Sequence, residues 1–173
     1  MNARLRQADK RWSSLALGLG PSTIGRAGCL LCCLCEATKI LRGTDMLPPH
    51  LNQAGRIASA FIGSSAKTSE LGRAAGLDVR PRVDGGELVL LAAIRMAINS
   101  RGCCLLHVDK SGDGAGDHWI LAHAIDGNSI VCSDSAVGMD VSIPCDTLSA
   151  SVMWGKEEKT YGVRGVRPVY PLN

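Results

Sequence analysis

The sequence predicts a single α+β domain in which helices come first and an antiparallel sheet follows. Up to residue 99, apolar residues recur mainly at helical spacing. After residue 102, short apolar segments alternate with polar turn residues, as is typical of strands. Helices followed by strands favour α+β over alternating α/β. The 173 residues are most simply one domain, 1–173, with an N-terminal arm over 1–22.

The helical half is predicted to contain four helices. A central helix covers 29–41, is apolar on most faces and is therefore expected to be buried. A second helix opens at Pro48, because proline is tolerated in a first turn. Further helices are predicted over 68–75, capped by Thr68 or Ser69, and over 87–99. The apolar face of the second helix is predicted to consist of Leu51, Ile57, Ala58 and Phe61.

The second half is predicted to consist of strands joined by turns. Residues 110–117 form a polar, glycine-rich loop, which we expect to be flexible and to lie over a site. Asp126-Gly127 is a hairpin turn signal. The predicted strands cover 103–109, 118–126, 129–134, 141–144 and 163–169.

Composition limits the partners and the location of the protein. The net charge is +3 and no lysine or arginine block stands out, so no nucleic-acid partner is predicted. No segment approaches the roughly 20 apolar residues of a membrane span. The first twelve residues are polar and lack the apolar core of a secretory signal. We therefore expect no signal peptide, and a protein that stays in the cytoplasm or travels in a virion.

Eight cysteines require an explanation. A disulfide framework is not expected without a secretory signal. Cys29 and Cys32 have the spacing of a zinc-ligand pair, which leaves a zinc site as an alternative, but both fall inside an apolar helical run. Most of the cysteines are therefore interpreted as small buried hydrophobic residues, and no metal or other cofactor is predicted.

Cys29 is the candidate nucleophile. Gly25 and Gly28 precede it, and the central helix begins at once. A thiol in the first turn of a helix lies near the positive end of the helix dipole and near unpaired N–H groups. Both favour the thiolate, which is the nucleophilic form.

A nucleophilic thiol needs a base, and His118 is the best placed of the four histidines. It begins a predicted strand beside the glycine-rich loop. His123 lies five residues later, so it faces the other side of the sheet and is expected to be structural. His107, in a buried run, and His50, at a helix start, are also interpreted as structural.

Asp134 is the candidate partner that orients His118. It lies sixteen residues later, with the predicted turn near the midpoint, so the hairpin brings the two residues close together. A strict two-residue turn would place Asp134 opposite Trp119, on the wrong face. A longer loop or a bulge would correct this, so the spacing predicts nearness and leaves the facing open.

The order Gln7, Cys29, His118, Asp134 resembles that of the papain-like cysteine peptidases, most closely the bacteriocin-processing-peptidase-like branch. Three stretches carry the likeness: QADKRW from residue 7, STIGRAGC ending on Cys29, and HWILAHAIDGNSIVCSDSAVG from residue 118. The resemblance implies a papain-like fold, with the cysteine-bearing helix packed on the C-terminal sheet. Ser135 stands where this branch often has proline.

The resemblance also implies a role for each residue. Cys29 is the nucleophile, His118 the base, and Asp134 orients the histidine. Gln7 helps to form the oxyanion hole, and both its amide and the N–H of Cys29 could donate to a developing oxyanion. Water then releases the product from an acyl-enzyme.

Three functions follow from the sequence as hypotheses. The first is a thiol peptidase, acting on peptide cross-links of the bacterial cell wall as a phage-particle or tail component, or on a protein leader. The second is a catalytically silent structural or binding module on the same fold, with other chains of a larger assembly as partners. The third is acyl transfer to an amine instead of water, which would use the same residues.

Overall fold

A computed structural model describes residues 4–172. The described chain is mixed α+β and contains a large antiparallel sheet, which confirms the predicted class. Its helices are α1 (Ile24–Ala27), α2 (Cys29–Arg42), α3 (Pro48–Ile57), α4 (Thr68–Ala74) and α5 (Glu87–Asn99). Its strands are β1 (Phe61–Ile62), β2 (Ser65–Ala66), β3 (Leu77–Val79), β4 (Cys103–Asp109), β5 (His118–Asp126), β6 (Ser129–Asp134), β7 (Met139–Pro144), β8 (Ser149–Trp154) and β9 (Glu157–Pro171).

The main sheet has seven strands, and every pairing in it is antiparallel. Six follow the order β3-β9-β4-β5-β6-β7, and β8 pairs with β9. The sequence predicted only the middle of β9, although the strand runs over 15 residues. It is long because successive segments pair with β8, β4 and β3. The sequence analysis missed β3 and β8. The partner of β3 lies about 90 residues later in the chain, and the partner of β8 is the unpredicted first part of β9.

Helices cover both faces of the sheet, because apolar residues occupy both sides of its central strands. Leu105 and Leu106 are adjacent in β4 and point to opposite faces. Leu105 joins the apolar cluster that contains α2, and Leu106 joins the cluster that contains α5. This double burial explains why β4 is a continuous apolar run rather than an alternating one.

The helix α2 forms almost as predicted and extends one residue further. It ends at Gly43, whose φ of 65° is the left-handed conformation that glycine adopts without strain. Every residue from 30 to 38 is buried, which confirms the predicted central position. Neither α2 nor any other helix within residues 4–172 has the length and apolar character needed to cross a membrane.

The predicted apolar face of α3 is wrong in part. Leu51 is fully buried, but Ile57 is 78% exposed. Ile57 follows Leu51 by six residues and therefore lies about 120° round the helix from it. The helix also ends at Ile57, so Ala58 and Phe61 no longer follow helical periodicity, and Phe61 is buried through β1 instead.

The side-chain cap predicted for the helix over 68–75, which is α4 in the structure, is also wrong. Lys67 occupies the N-cap position of α4 and makes no capping hydrogen bond. The Ser69 hydroxyl instead donates to the Val79 carbonyl, 3.3 Å away. That bond ties α4 to β3, so a tertiary contact has replaced the expected local one.

The N-terminal arm is attached to both α2 and the sheet. The Leu5 N–H donates to the Glu36 carboxylate of α2 at 2.6 Å. The Arg4 guanidinium pairs with Asp140 of β7 at 2.8 Å and lies 3.6 Å from Glu36. Because Arg4 pairs with groups on both sides, these contacts hold the arm, and with it Gln7, in a defined place.

Two alanine substitutions in α3 test the corrected face of that helix. Leu51→Ala should lower the free energy of unfolding by about 2–5 kcal/mol, because it opens a cavity in the core. Ile57→Ala should change it by no more than about 0.5 kcal/mol, because the side chain is exposed. Denaturant unfolding measures both values, and equal losses would restore the face predicted from the sequence.

Candidate active site

The first residue of α2 meets the first residue of β5 at one end of the sheet. The Cys33 thiol, one turn into α2, donates to the Trp119 carbonyl at 3.4 Å and fixes the helix against the start of the strand. Cys29 and His118 then line one cavity of about 500 Å³. The structure thus brings together the candidate nucleophile and the candidate base.

Asp134 holds the His118 ring from the side opposite the thiol. Its Oδ1 lies 2.8 Å from His118 Nε2 and also accepts the Ala136 N–H at 2.9 Å. Its Oδ2 accepts the Tyr161 hydroxyl at 2.5 Å. Asp134 is completely buried and His118 is 2% exposed. Hydrogen bonds and the imidazolium take the place of the water that burial removes from this carboxyl group.

A β-bulge at His123 places Asp134 on the same face as His118. Asp126 pairs with Ser129, and this register would continue to place Asp134 opposite Leu121. The ladder skips His123, so Leu121 pairs with Ser133 and Asp134 falls opposite the next residue toward His118. One extra residue therefore reverses the face, which is the correction that the sequence left open.

The charges at the site favour a thiolate and imidazolium pair. Burial raises the pKa of Cys29, but the hydrogen bond and positive charge of His118 outweigh it, and the pKa falls below its usual 9.0. Burial lowers the pKa of His118, yet Asp134 and the Cys29 sulfur together raise it to about 9. Because Asp134 occupies Nε2, Nδ1 is the ring nitrogen left for the sulfur.

The amide of Gln7 lies in the wall of the same cavity in a fixed orientation. Its Nε2 donates to the Gly25 carbonyl at 3.1 Å, and its Oε1 accepts the Ser135 hydroxyl at 3.1 Å. Since a carbonyl can only accept, the amide nitrogen must face Gly25. An amide nitrogen carries two N–H groups, so this arrangement leaves a second donor near Cys29.

Ser135 is a site residue whose role sequence reasoning missed. Besides its hydroxyl bond to the Gln7 side chain, its carbonyl accepts the Gln7 N–H at 3.0 Å. The sequence marked it only as a departure from the proline of the resembled branch. A proline there would keep the carbonyl and lose the hydroxyl that orients the amide.

Tyr161 and Trp154 were also missed, because they come from the poorly predicted end of the sheet. The Trp154 indole N–H donates to the Tyr161 hydroxyl at 2.6 Å, and that hydroxyl donates to Asp134. The Trp154 ring meets the His118 ring edge to face, with centroids 5.5 Å apart. One signal was available: the chain has only six aromatic residues, and three of them, Trp154, Tyr161 and Tyr170, fall in β8 and β9.

The remaining histidines do not contact the thiol. His107 stacks on Trp119, and its Nδ1 lies 2.7 Å from the Arg82 guanidinium. Burial and the Arg82 charge lower the pKa of His107, so it is neutral and forms part of the cavity wall. His123 lies beside Asp140 at 3.2 Å, and His50 is exposed. His107 thus borders the site, although the sequence assigned it a purely structural position.

The glycine-rich loop 110–117 is held at both ends by carboxylates. At one end, buried Asp109 accepts the N–H groups of Gly112 and Gly114 at 2.7 and 2.8 Å, and that of Ser111. At the other end, Asp117 pairs with Lys110 at 2.8 Å. These contacts tether the loop at its two ends beside the cavity, where Lys110 and Asp117 contribute to the wall.

Metal ligation has no support among residues 4–172. These residues contain no group of three or more histidine, cysteine or acidic side chains placed to hold a metal ion. All eight cysteines are free thiols, and seven of them are buried. The spacing of Cys29 and Cys32 is therefore not accompanied by the further ligands that a structural zinc site needs.

Comparisons with known proteins assign no family to this chain, so its function is inferred from the geometry of the site. No protein-family model matches the chain, and no curated protein matches it in sequence. The site itself combines a thiol with a lowered pKa, a charged imidazole and a fixed amide donor around one cavity. These groups are suited to attack on a carbonyl carbon, protonation of a leaving group and stabilisation of an oxyanion.

Iodoacetamide labelling tests the state of the thiols. At neutral pH Cys29 should be alkylated far faster than the other cysteines, because its thiolate borders the cavity. His118→Ala should slow this labelling by at least about tenfold, because it raises the pKa of Cys29. Peptide mass spectrometry locates the label, and Cys29→Ala is the control. Equal labelling of all cysteines would contradict the assignment of Cys29 as the reactive thiol. Slow labelling is expected at the other cysteines because burial raises the pKa of their thiols, as it does for Cys32, Cys33, Cys35, Cys103, Cys104 and Cys132.

Removal of the Tyr161 hydroxyl tests the support of Asp134. Tyr161→Phe should lower the free energy of unfolding by about 1.5–3 kcal/mol, because a buried carboxylate loses a donor. The matched control is Tyr170→Phe, the only other tyrosine, which should cost no more than about 0.5 kcal/mol. Denaturant unfolding compares the two variants. Equal effects would mean that the hydroxyl of Tyr161 does not stabilise Asp134.

Proposed function

We propose that this protein is a thiol-dependent hydrolase, a cysteine peptidase that cleaves a peptide or amide bond through an acyl-enzyme on Cys29. One observation carries the proposal. A hydrogen-bonded path runs from Tyr161 through Asp134 to His118, and the thiol beside that ring has a lowered pKa. A thiolate, a cationic acid and an orienting carboxylate are the parts that thiol acyl transfer requires.

Acylation uses the ion pair directly. The Cys29 thiolate attacks the substrate carbonyl carbon, and the electron pair moves to the carbonyl oxygen. The second N–H of Gln7 and the backbone N–H of Cys29 are the donors available to this oxyanion. His118 then gives its Nδ1 proton to the leaving amine, the C–N bond breaks, and an acyl group remains on sulfur.

Deacylation reverses the roles of the same groups. Neutral His118 takes a proton from water, and the resulting hydroxide attacks the acyl carbon. The carboxylic acid leaves as the C–S bond breaks, and the thiolate and imidazolium are restored. Asp134 keeps the ring in position throughout, because the Ala136 N–H and the Tyr161 hydroxyl hold its carboxyl group in place. An amine in place of water would give acyl transfer by the same path.

The arrangement of elements supports the papain-like interpretation. α2 is buried, begins with the cysteine and packs on an antiparallel sheet whose strands supply His118 and Asp134. Gln7 precedes the cysteine in the chain and lies beside it in the cavity. The proposal thus rests on the order and the convergence of four residues, together with the layers that hold them.

Peptide cross-links of the bacterial cell wall are the proposed first substrate class, for a phage-particle or tail component. The cavity of about 500 Å³ has room for a short peptide segment. Arg26 contributes a positive charge to its wall, and cell-wall peptides carry free carboxylates. A protein leader is the second class. Purified cell wall and a panel of short peptides distinguish the two, by release of new amino groups from one and not the other.

Substitution of the two histidines tests the assignment of the base. Cys29→Ala and His118→Ala should each lower kcat/KM on the cleaved substrate by at least about 10³-fold, because each removes a reacting group. His123→Ala should keep most of the activity and mainly reduce stability, because it only loosens the pairing with Asp140. Loss of activity in His123→Ala alone would contradict the assignment. Rapid labelling of Cys29 without turnover of any substrate would favour the silent binding module.

The pH profile tests the ion pair. As the pH rises through the pKa of Cys29, which lies below 9.0, the thiolate forms and kcat/KM increases. As it rises further through about 9, His118 loses the proton it must donate, and kcat/KM falls. Initial rates on one substrate should therefore trace a bell whose alkaline limb lies near pH 9. A rate that keeps rising past that limb would contradict the cationic acid.

A further inference from the structure

Cys32 lies one helical turn after Cys29 and takes no part in the proposed reaction. The helix α2 therefore begins with two thiols three residues apart. The first borders the cavity and is partly exposed, and the second is fully buried. Residues at this spacing are neighbours on a helix surface.

We propose that Cys29 and Cys32 form a reversible disulfide when the protein meets a hydroperoxide, so that this pair is a redox modification site. The inference shares with the proposed function only the reactive Cys29 thiolate. It does not depend on any substrate or on turnover.

The two thiols differ in the way that such a pair requires. The pKa of Cys29 lies below its usual value, so the partly exposed member that borders the cavity is the one that an oxidant meets as thiolate. Burial and the nearby Cys29 charge raise the pKa of Cys32, so the second member is a thiol while Cys29 is a thiolate. A partly exposed thiolate at a helix N-terminus, followed by a second cysteine after two residues, is the arrangement of Cys-x-x-Cys redox pairs.

The pair can close with a small movement. Side chains three residues apart on a helix have Cβ atoms about 5–6 Å apart, and a disulfide needs about 3.5–4.5 Å. Cys29 is the first helical residue, and N–H groups of a first turn have no helical partners to lose. The Cys32 N–H donates to the Gly28 carbonyl at 3.0 Å, which keeps Cys32 in place while Cys29 moves toward it.

Cys32 is a better partner than the other cysteines of α2. The Cys33 thiol is directed to the Trp119 carbonyl, to which it donates at 3.4 Å. Cys35 lies six residues from Cys29, about 9 Å along the helix axis. Cys32 also has the Ser135 side chain beside it.

The chemistry balances with a hydroperoxide as the oxidant. The Cys29 thiolate attacks the peroxide, an S–O bond forms as the O–O bond breaks, and the departing oxygen takes the His118 proton. Sulfur has lost two electrons and is a sulfenic acid. The Cys32 sulfur then attacks it, the S–S bond forms, and the S–O bond breaks with release of water. An external dithiol returns two electrons and two protons and restores both thiols.

The disulfide would block the proposed reaction and also protect its nucleophile. While the bond exists, no thiolate is available on Cys29. Without a resolving thiol, a sulfenic acid proceeds to sulfinic acid, which thiols do not reduce. Cys32 therefore converts a permanent loss of Cys29 into a temporary one.

Hydrogen peroxide treatment followed by differential alkylation tests the inference. The wild type, Cys32→Ser and Cys33→Ser are oxidised, free thiols are blocked, and disulfides are reduced and labelled with a second reagent. In the wild type the second label should mark Cys29 and Cys32. After dithiothreitol, Cys29 should regain its reactivity in the wild type and in Cys33→Ser. In Cys32→Ser the regained fraction should be at least about tenfold lower, because the sulfenic acid is oxidised further.

The outcomes separate this inference from the proposed function. The inference is overturned if the second reagent labels Cys29 and Cys33, or labels no pair of cysteines. It is also overturned if Cys29 in Cys32→Ser regains its full reactivity after dithiothreitol. The wild-type mapping decides the matter even if a variant does not fold. If untreated protein shows no preferential alkylation of Cys29, the reactive thiolate that both require is absent, and the proposed function fails together with the inference. Rapid alkylation without a peroxide-induced disulfide leaves the proposed function intact.

Discussion

The buried hydrogen bond between Asp134 and His118 is the interaction on which the rest of the site depends. A charged carboxylate with no exposure to water is costly, and the fold offsets this cost with the Ala136 N–H, the Tyr161 hydroxyl and the imidazolium. The carboxylate keeps the ring protonated, and the ring in turn lowers the pKa of Cys29. The reactivity of a thiol on one element is thus set by a carboxylate on another.

Several features of the fold serve this interaction. The bulge at His123 turns Asp134 to the face of the sheet that carries His118. The strand β9 places the Tyr161 hydroxyl within hydrogen-bonding distance of the Asp134 carboxylate. The N-terminal arm, held by the ion pairs of Arg4, places the amide of Gln7 in the cavity that Cys29 lines. Segments from both ends of the chain therefore meet at one cavity.

Local signals in the sequence were sufficient for some of this structure and insufficient for the rest. The helix carrying Cys29 was predictable because its periodicity and Gly43 are local features. The nearness of His118 and Asp134 followed from spacing, but their facing depended on a bulge that no turn motif announces. Tyr161 lies in the β8–β9 hairpin, which was not predicted, and its hydrogen bond to Asp134 joins residues 27 apart that no local pattern connects. Ile57 shows the opposite error, since its apolar character suggested burial where the helix faces solvent.

The titration of His118 measures the central interaction most directly. Nitrogen-15 NMR of the imidazole across the pH range reports the pKa of this ring and the charge it carries. The account predicts an imidazolium at neutral pH that titrates near 9, and a lower pKa in Cys29→Ala, where the thiolate is gone. A His118 ring that titrates near its ordinary 6.5, with a pKa unchanged in Cys29→Ala, would contradict the thiolate–imidazolium pair and the reaction proposed from it.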